Sequence, residues 1–363
     1  MSMKNIAGVI LALFLLDGTA FGATKPFMKV DQHYYNATTF PRGVRNIGMG
    51  GAGAADISGF SSGYFNPASF GWSDAITLGA STNDFAQYLE FVDTRLTASH
   101  PLKNTVRGAD LRIGGSLAYS TLSWDLGCER TIYSPVGCTE TDNPDYYLSG
   151  SLAAGVKKGM WELALGGTAK YLEVKTFGQY MTWAFDLGFI AAANIEQANG
   201  FRLRPRIGAS VRNLGKDIEF SSNEMNYQPN EIEQPGEHRY GIGVDVFAPP
   251  VAAVTTTLRR NVSTLGMSID YDIVKGDGSN QVNGWAFGAE MSFFEMLRLR
   301  AGRSDDVFLN TDCMTYGIGL GWDFRRLIVQ FDYARIDRDC DACELLGINP
   351  EDDAFGLVVG GRF

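Results

Sequence analysis

The sequence lacks a long hydrophobic segment beyond its N-terminus. After the first 20 residues, no apolar run approaches the roughly 20 residues that a membrane-spanning helix needs, which excludes a helical membrane protein. The sequence also has no excess of basic residues, because 41 Asp and Glu outnumber 31 Lys and Arg and give a net charge of −10. Nucleic acid is therefore disfavoured as the main partner, since binding phosphates requires clustered Lys and Arg.

Glycine and aromatic residues, by contrast, are abundant. The 363 residues include 43 Gly, 23 Phe, 15 Tyr and 6 Trp, and 45% of the chain is hydrophobic, so the chain is not disordered. The length suggests two or three domains at about 150 residues each, although single β-barrels often exceed that size. The composition indicates a β-rich chain whose sheets have two very different faces.

The N-terminus reads as a secretory signal peptide. Lys4 precedes an apolar stretch from Ile6 to Leu16, and small residues follow it. The stretch is too short to span a bilayer, which disfavours an anchoring helix. We predict cleavage after Gly22 or Ala23, with a signal peptide at 1–22, an N-terminal segment at 23–73 and a strand-rich region at 74–363.

Cysteine is scarce, with five residues in the chain. Cys128 and Cys138 flank a predicted loop, Cys340 and Cys343 form a CxxC motif, and Cys313 is left over. Disulfides can form in an exported chain, so 128–138 is the favoured pair and 340–343 a second candidate. A CxxC motif without a second Cys or His pair is weak evidence for zinc, and no thioredoxin-like pattern surrounds it. We therefore predict no metal and no cofactor.

Large apolar residues alternate with small or polar ones from residue 74 onward. The odd positions between 285 and 293 are Trp, Phe, Ala, Met and Phe, whereas the even positions between 284 and 292 are Gly, Ala, Gly, Glu and Ser. Successive side chains of a strand point to opposite faces, so such a strand has one large apolar face. A soluble sandwich buries that face, whereas an outer-membrane barrel turns it toward lipid.

Two observations favour the barrel. The strands are long, at about 10–14 residues, whereas strands of soluble sheets usually have five or six. The polar face is dominated by Gly and Ala, which suits a crowded lumen better than a solvated surface. We therefore predict an all-β fold, a 14-stranded antiparallel transmembrane β-barrel over residues 74–363 in the bacterial outer membrane. The predicted strands are 74–82, 86–97, 113–127, 146–157, 161–174, 182–195, 202–214, 239–248, 263–275, 282–292, 296–303, 313–323, 326–336 and 354–363.

The predicted connections also fit an outer-membrane barrel, which has an even number of strands, short periplasmic turns and long outer loops. If the first strand runs outward, the connections at 128–145, 215–238, 276–281, 304–312 and 337–353 lie outside. Two inward connections, 98–112 and 249–262, are longer than this rule expects. The last strand alternates up to Phe363, which resembles the C-terminal assembly signal of outer-membrane proteins.

Residues 36–73 do not alternate, and they contain two motifs that point to a family. One reads Arg-x-x-Gly-Met-Gly-Gly-Ala, and the other reads Asn-Pro-Ala. Together they resemble the opening of the PorV/PorQ family, which is related to the FadL-type 14-stranded barrels. Asn-Leu-Gly at 213–215, Gly-Ala-Glu at 288–290 and Leu-Arg-Ala-Gly at 299–302 are similar to later motifs of that family, so the resemblance spans about residues 40–363. The motif residues are Arg45, Gly48, Met49, Gly50, Gly51, Asn66, Pro67 and Ala68.

The resemblance implies that the Gly-rich segment folds into the lumen as a plug or hatch. It also implies a non-enzymatic, accessory role in type IX protein secretion, in which the outer loops, above all 215–238 and 337–353, bind the C-terminal signal domain of exported cargo. The expected partners are outer-membrane lipid and secreted cargo or the secretion machinery. The alternative function is FadL-like transport of hydrophobic compounds, and a third is that of a porin-like structural protein.

Charged residues occupy the face that the barrel turns inward. They form either an ion-pair network that locks a filled barrel, since buried charges must be paired, or a polar track for a substrate or an anion-selective constriction. This inner face reads Gly, Ser, Asp and Arg, whereas a path for a hydrophobic ligand should be apolar, which disfavours FadL-like uptake. The candidate lumen charges are Arg202, Arg204, Arg206, Arg212, Asp186, Asp270, Asp272, Glu290 and Asp332.

Two sequence motifs of enzymes occur in the chain, but neither has the flanking strand and helix that it requires. Gly-x-Gly-x-x-Gly at 48–53 fits the dinucleotide fingerprint, and Gly-x-Ser-x-Gly at 59–63 fits the nucleophile elbow. Both motifs need a strand before them and a helix after them, and the sequence has neither pattern at either place. The two downstream histidines, His100 and His238, lie in predicted connections. We therefore predict that the protein is not an enzyme.

Overall fold

A computed structural model gives the fold of the chain. It describes residues 43–58, 60–73, 75–85, 89–106, 108–124, 144–174, 180–215, 218–219, 231–232, 236–250, 263, 265–276, 283–306, 311–324, 327–339 and 351–362. Among these residues, no helix is both long enough and apolar enough to cross a membrane.

Fourteen antiparallel strands form one closed sheet. Each strand pairs with its neighbours along the chain, and the last strand pairs with the first between Ala75 and Asn83, which closes the barrel. The strands are β1 Ala75–Phe85, β2 Leu89–Val106, β3 Ala109–Trp124, β4 Asp145–Lys158, β5 Trp161–Val174, β6 Tyr180–Ala193, β7 Arg202–Gly215, β8 Glu237–Phe247, β9 Leu265–Gly276, β10 Asn283–Phe293, β11 Leu297–Asp306, β12 Thr311–Phe324, β13 Leu327–Asp339 and β14 Glu351–Arg362.

The predicted fold class is confirmed, and each predicted strand overlaps an observed one. The prediction of a connection at 98–112 was wrong, because β2 continues to Val106, β3 begins at Ala109, and the two strands pair almost to the turn. The prediction relied on alternation of apolar and polar residues, which this polar stretch lacks. Backbone hydrogen bonds hold an antiparallel hairpin whether or not its residues alternate. For the same reason His100 and His238 lie within β2 and β8 and not in connections.

The connections alternate between two ends of the barrel. At one end, called here the short-turn end, β2, β4, β10 and β12 end and the following strand begins within four residues. At the opposite, long-loop end, β3 ends at Trp124 and β4 begins at Asp145, and β13 ends at Asp339 and β14 begins at Glu351. Between β7 and β8, Ile218–Glu219 pairs with Glu231–Ile232. By the rule for outer-membrane barrels, the short-turn end faces the periplasm.

The two faces of the sheet have opposite chemistry. Outward side chains are large and apolar, with Leu152, Leu165 and Trp183 exposed by 73%, 64% and 58%. Inward positions carry small or charged residues, and the side chains of Asp186, Asp270 and Asp272 are buried. This distribution agrees with the prediction that large residues face outward and small or polar residues face inward.

Residues 43–73, called here the plug segment, contain little regular structure. A single helical turn, α1, spans Val44–Ile47, and 3-10 helices span Ser62–Tyr64 and Pro67–Trp72. The Asn66 side chain accepts a hydrogen bond from the backbone N–H of Ala68, and Pro67 occupies the first helical position, where it lacks only an N–H that would have no helical partner. Most of these residues are buried.

Several predictions fall outside the described residues. They are the signal peptide at 1–22 with the rest of the N-terminal segment before residue 43, the pairs Cys128–Cys138 and Cys340–Cys343, and the terminal Phe363. These predictions stay as they were made. Of the five cysteines, the structure describes Cys313, which is buried on β12.

Candidate functional site: the plug segment and the lumen

A ring of glycines on the inner wall receives the backbone of the plug segment. We call it the glycine belt. A Cβ atom added to any of its members would come within contact distance of the plug, for instance at Gly166, where it would lie 2.5 Å from the carbonyl carbon of Pro67. Some members face each other across adjacent strands, as Gly166 and Gly188 do. The belt consists of Gly79, Gly114, Gly155, Gly166, Gly188, Gly208, Gly241, Gly288, Gly302, Gly317 and Gly356.

The Arg-x-x-Gly-Met-Gly-Gly motif forms one close part of this contact. Gly50 has a φ of +67°, and a Cβ atom there would lie 2.6 Å from the carbonyl oxygen of Phe287. Only glycine combines this left-handed conformation with so close an approach to the wall. The N–H of Gly50 also donates to the Thr315 hydroxyl at 2.9 Å, and Met49 is fully buried. The motif is therefore a docking surface for the wall and not a nucleotide loop.

The helical turn α1 covers an apolar patch inside the barrel. Val44 and Ile47 pack in one buried cluster with Cys313 and Ile336 and two alanines of β13 and β14. A second apolar cluster joins Ala68, Ala164 and Ile190, with Trp72 packed against it. The first cluster attaches the start of the plug segment to β12, β13 and β14, and the second attaches its end to β5 and β6.

The centre of the lumen is organised around one carboxylate of the plug segment, Asp56. Arg45 forms an ion pair with Asp56, and Arg206 on β7 approaches it to 3.6 Å. Arg206 also donates to Asp245 at 2.8 Å and to Asp270 at 3.1 Å. All five side chains are at least largely buried. Asp56 thus links the plug segment to itself and to the wall.

A second charge chain runs from the plug segment across the wall. Arg45 donates to Glu290 on β10 at 3.0 Å, Arg300 on β11 donates to Glu290 at 2.7 Å, and Arg300 also donates to Asp332 on β13 at 2.6 Å. The structure therefore brings together Arg45 and Glu290, which the sequence marked for different reasons. The guanidinium group of Arg45 serves both charge chains.

A third contact uses backbone groups of the plug segment. Asp272 on β9 accepts hydrogen bonds from the N–H groups of Gly53 and Ala54 at 2.8 and 2.9 Å. Arg239 on β8 lies 3.7 Å from the same carboxylate and donates to the carbonyl oxygen of Gly51 at 2.9 Å. Arg239 also stacks 4.7 Å from the ring centre of Phe65. Two backbone amides and an arginine thus surround one carboxylate oxygen, Oδ2, of this buried aspartate.

The Asn-Pro-Ala motif docks against β6 and β7. The Asn66 amide donates to the carbonyl oxygens of Ala54 at 2.6 Å and Phe189 at 2.9 Å. The Ser210 hydroxyl donates to the carbonyl oxygen of Phe65 at 2.7 Å. The motif therefore joins two parts of the plug segment to the wall, which explains why an amide side chain is needed at 66.

The wall itself is irregular next to this motif. The pairing of β6 with β7 shifts between Phe185 and Leu187, and Asn213 has a φ of +57°. Asn213 donates its backbone N–H to Asp186 at 2.8 Å, and Lys170 lies 2.6 Å from Asp186. This β-bulge turns two successive residues, Arg212 and Asn213, inward. A strict alternation could not have predicted it.

The predicted arginines of β7 have different surroundings. Arg206 and Arg212 are buried, and Arg212 forms an ion pair with Glu237 at 3.0 Å and stacks 4.4 Å from the Tyr64 ring. Arg204 is ion-paired with Glu162, whereas Arg202 is exposed, and its guanidinium donates to the Ser263 hydroxyl at 3.3 Å. The four arginines therefore do not form one constriction.

Sequence reasoning did not single out several members of the lumen network. Arg239 and Arg300 have the inward parity of their strands, so the alternation alone would have found them. Asp56 lies in the plug segment, where no periodicity indicates which side chains point to the wall. The missed members include Asp56, Glu162, Lys170, Glu237, Arg239, Asp245 and Arg300, together with the buried pairs Asp93–Arg95 and Arg338–Asp352.

The side chains described above hold the plug segment in place. In the described part of the chain, no group of three or more His, Cys, Asp or Glu side chains could hold a metal ion. A pocket beside Gly43, Phe60 and Arg95 has a volume of about 10 Å³, roughly the room that one water molecule occupies. What the arrangement does is hold the plug segment inside the barrel through buried, paired charges.

The surface of the barrel defines its location. A closed sheet satisfies its backbone hydrogen bonds internally, which allows it to cross a bilayer. The even number of strands and the outward apolar band, with exposed Trp161 at the short-turn end and Trp183 toward the long-loop end, are those of outer-membrane barrels. The protein is a β-barrel of the bacterial outer membrane.

Comparisons with known proteins find similarity only to solved structures. No protein-family model matches the chain, and no curated protein matches it. Similar solved structures include the toluene transporter TbuX of Ralstonia pickettii, with a TM-score of 0.49 and 12% identity over 88% of this chain and 98% of that one. The monoaromatic hydrocarbon channel CymD has a TM-score of 0.40 and 12% identity over 89% and 97%. The beta domain of the Bordetella autotransporter Brka has a TM-score of 0.42 and 9% identity over 80% and 97%.

Proposed function

We propose that this barrel is a non-enzymatic protein of the PorV type, an accessory component of type IX secretion that binds or shuttles exported cargo at the cell surface. The observation that carries the proposal is the plug segment, which is held in the lumen by buried ion pairs at Asp56 and Glu290. A lumen filled in this way favours work at the long-loop end over passage through the barrel. Arg45 and Asn66, on which the family resemblance rests, are residues that anchor the plug.

The long-loop end is where cargo would bind. Within 215–238, Ile218–Glu219 and Glu231–Ile232 form a small antiparallel ribbon. A ribbon of this kind offers a backbone edge with which an extended segment of cargo can pair. The second loop expected to bind cargo, 337–353, lies largely outside the described residues.

A second candidate function is FadL-like transport of hydrophobic compounds. The apolar patch under α1 favours it, because removal of Val44 and Ile47 would expose Cys313 and Ile336 to the lumen. The buried charges on most other strands count against it, since a hydrophobic ligand would have to pass them.

Affinity purification from the native outer membrane separates the two functions. Secreted proteins that share a C-terminal domain should co-purify if the barrel is of the PorV type. Bound fatty acid or aromatic compounds, without such proteins, would support transport instead and contradict the proposal.

A locked plug gives a sharper test. Ile47→Cys would place a thiol in the same buried cluster as Cys313, in a chain whose other four cysteines are replaced by serine. Cross-linking these two thiols should leave cargo binding unchanged if cargo is handled at the surface, whereas uptake of a hydrophobic compound should stop. Loss of cargo binding in the locked form, with full binding after reduction, would contradict surface handling.

A further inference from the structure

We propose that the lumen contains a binding site for an oxyanion, a carboxylate or phosphate group, at Arg298 on the short-turn side of the plug segment. This site goes beyond the proposed handling of cargo at the long-loop end. It depends on a pair of neighbouring arginines on β11 and on two glycines of β12.

Arg298 and Arg300 point into the lumen from the same face of β11, because the intervening Leu299 is 45% exposed on the outside. Gly319 and Gly321 of β12 leave the space that their guanidinium groups occupy. A Cβ atom at Gly319 would lie 2.7 Å from Nη2 of Arg300, and one at Gly321 would lie 3.5 Å from Nη2 of Arg298.

The hydrogen bonds of these two arginines are incomplete. Arg300 donates to Glu290 and Asp332, yet its buried Nη2 has no hydrogen-bond partner. Arg298 is half-buried, and within the described part of the chain it has neither a hydrogen bond nor a carboxylate at ion-pair distance. Buried guanidinium nitrogens are normally satisfied, so Nη2 of Arg300 indicates an acceptor that the described residues do not supply.

Arg298 carries the positive charge that an anion would meet. Arg300 is ion-paired with Glu290 and Asp332, and Arg45 is ion-paired with Glu290 and Asp56, whereas Arg298 has no carboxylate at ion-pair distance among the described residues. An oxyanion with two oxygen atoms would accept from a guanidinium group in the bidentate geometry that arginine favours.

The site lies on the short-turn side of the plug segment. Gly48 of the plug segment lies against Arg300, since a Cβ atom there would be 3.5 Å from Cδ of Arg300. Arg298 is one inward position further from the plug, near the turn at 294–296. The oxyanion would therefore enter from the periplasmic side and leave the plug in place.

The test is titration of the purified full-length barrel with inorganic phosphate and, separately, with acetate, at constant ionic strength set by a chloride salt. Binding to the folded state raises the unfolding temperature. We expect a rise of about 2–4 °C at saturation with at least one of the two anions. A response to phosphate alone assigns a phosphate group as ligand, and a response to acetate alone assigns a carboxylate.

Matched variants connect the response to the site. Arg298→Gln should lose it, Arg298→Lys should keep part of it, and Arg303→Gln should keep all of it. Arg303 is the matched control, because it lies on the outer face of the same strand and pairs with Asp312 at 3.1 Å. No response of the wild-type barrel to either anion, or an unchanged response in a folded Arg298→Gln variant, would overturn the proposal.

Discussion

At the scale of single residues, the plug is held by the charge of Asp56. Burial raises the pKa of this carboxyl, but the positive charges of Arg45 and Arg206 and hydrogen bonds from Ser58 outweigh burial, so the pKa lies below its ordinary value of 3.8. Burial likewise lowers the pKa of Arg45, and the nearby carboxylates Asp56 and Glu290 more than reverse that effect. Each charge is therefore stable only in the presence of the other.

Replacing Asp56 with Asn should loosen the plug. The change leaves two buried arginines without a shared carboxylate, and breaking a buried ion pair typically costs about 3–5 kcal/mol. The measurement is the labelling rate of a Ser69→Cys thiol in a chain whose five natural cysteines are serine, because Ser69 is fully buried in the plug segment. We expect the rate to rise at least about a hundredfold, and an unchanged rate would show that Asp56 is not needed for docking.

Acid should loosen the plug in the same way. Since the pKa of Asp56 is lower when the plug is docked than when it is free, its contribution is complete above the ordinary pKa and is lost as the pH falls through the docked-state pKa. Pepsin cleavage within 43–73 should therefore begin only below about pH 4. The Asp56→Asn variant is the control. Because the asparagine side chain does not titrate, its cleavage should not show the onset that protonation of Asp56 causes.

The outward residues obey the opposite rule, because they face lipid. Leu152 lies near the middle of β4 and is 73% exposed. Leu152→Arg should destabilise the barrel by about 2–4 kcal/mol, as expected of a charge at the bilayer midplane, whereas Leu152→Ala should cost less. Urea unfolding in lipid vesicles measures both changes, and equal costs would contradict the lipid-facing assignment.

At the scale of elements, the glycines of the strands are explained by the plug segment. An inward glycine on β3, β4 or β5 has no side chain because Phe70, Gly71 or Pro67 passes over it. Part of the excess of glycine in the composition is thus explained by the close packing of the plug segment against the wall.

Gly166 and Gly167 offer a matched test on β5. A methyl group at Gly166 would lie 2.5 Å from Pro67, whereas one at Gly167 would lie 3.5 Å from its nearest neighbour, the carbonyl oxygen of Asp186. Gly166→Ala should therefore speed labelling of the Ser69→Cys thiol, and Gly167→Ala should leave the rate near that of the parent. Similar rates for both variants would mean that the belt does not position the plug.

The sequence predicts most of the wall and only part of what fills it. Strands follow from the two-residue period, which also places Asp270 and Arg206 inward. The period fails at 98–106, where the strand has no apolar face, and at Asn213, where a bulge adds a residue. Partners such as Asp56 with Arg206 join distant parts of the chain, and no local pattern specifies them.

At the scale of the whole molecule, the barrel depends on the pairing of its ends. Residues Ala75–Asn83 of β1 pair with Ala354–Arg362 of β14. Phe363 follows this strand directly and is the predicted assembly signal. Deleting it should reduce the fraction of barrel that migrates as the compact form on an unheated gel. An unchanged fraction would show that the terminal aromatic residue is dispensable.

The plug segment touches both the first and the last strand, since Phe60 lies against Gly79 and Val44 lies against Gly356. It precedes β1 in the chain, yet it ends up enclosed by a wall that closes only when β14 arrives. The contacts of the segment with β14 can therefore form only once the last strand is in place, and the segment can act as an internal gauge of the circumference. A nascent barrel with one strand too few or too many would not match the spacing of contacts along this segment.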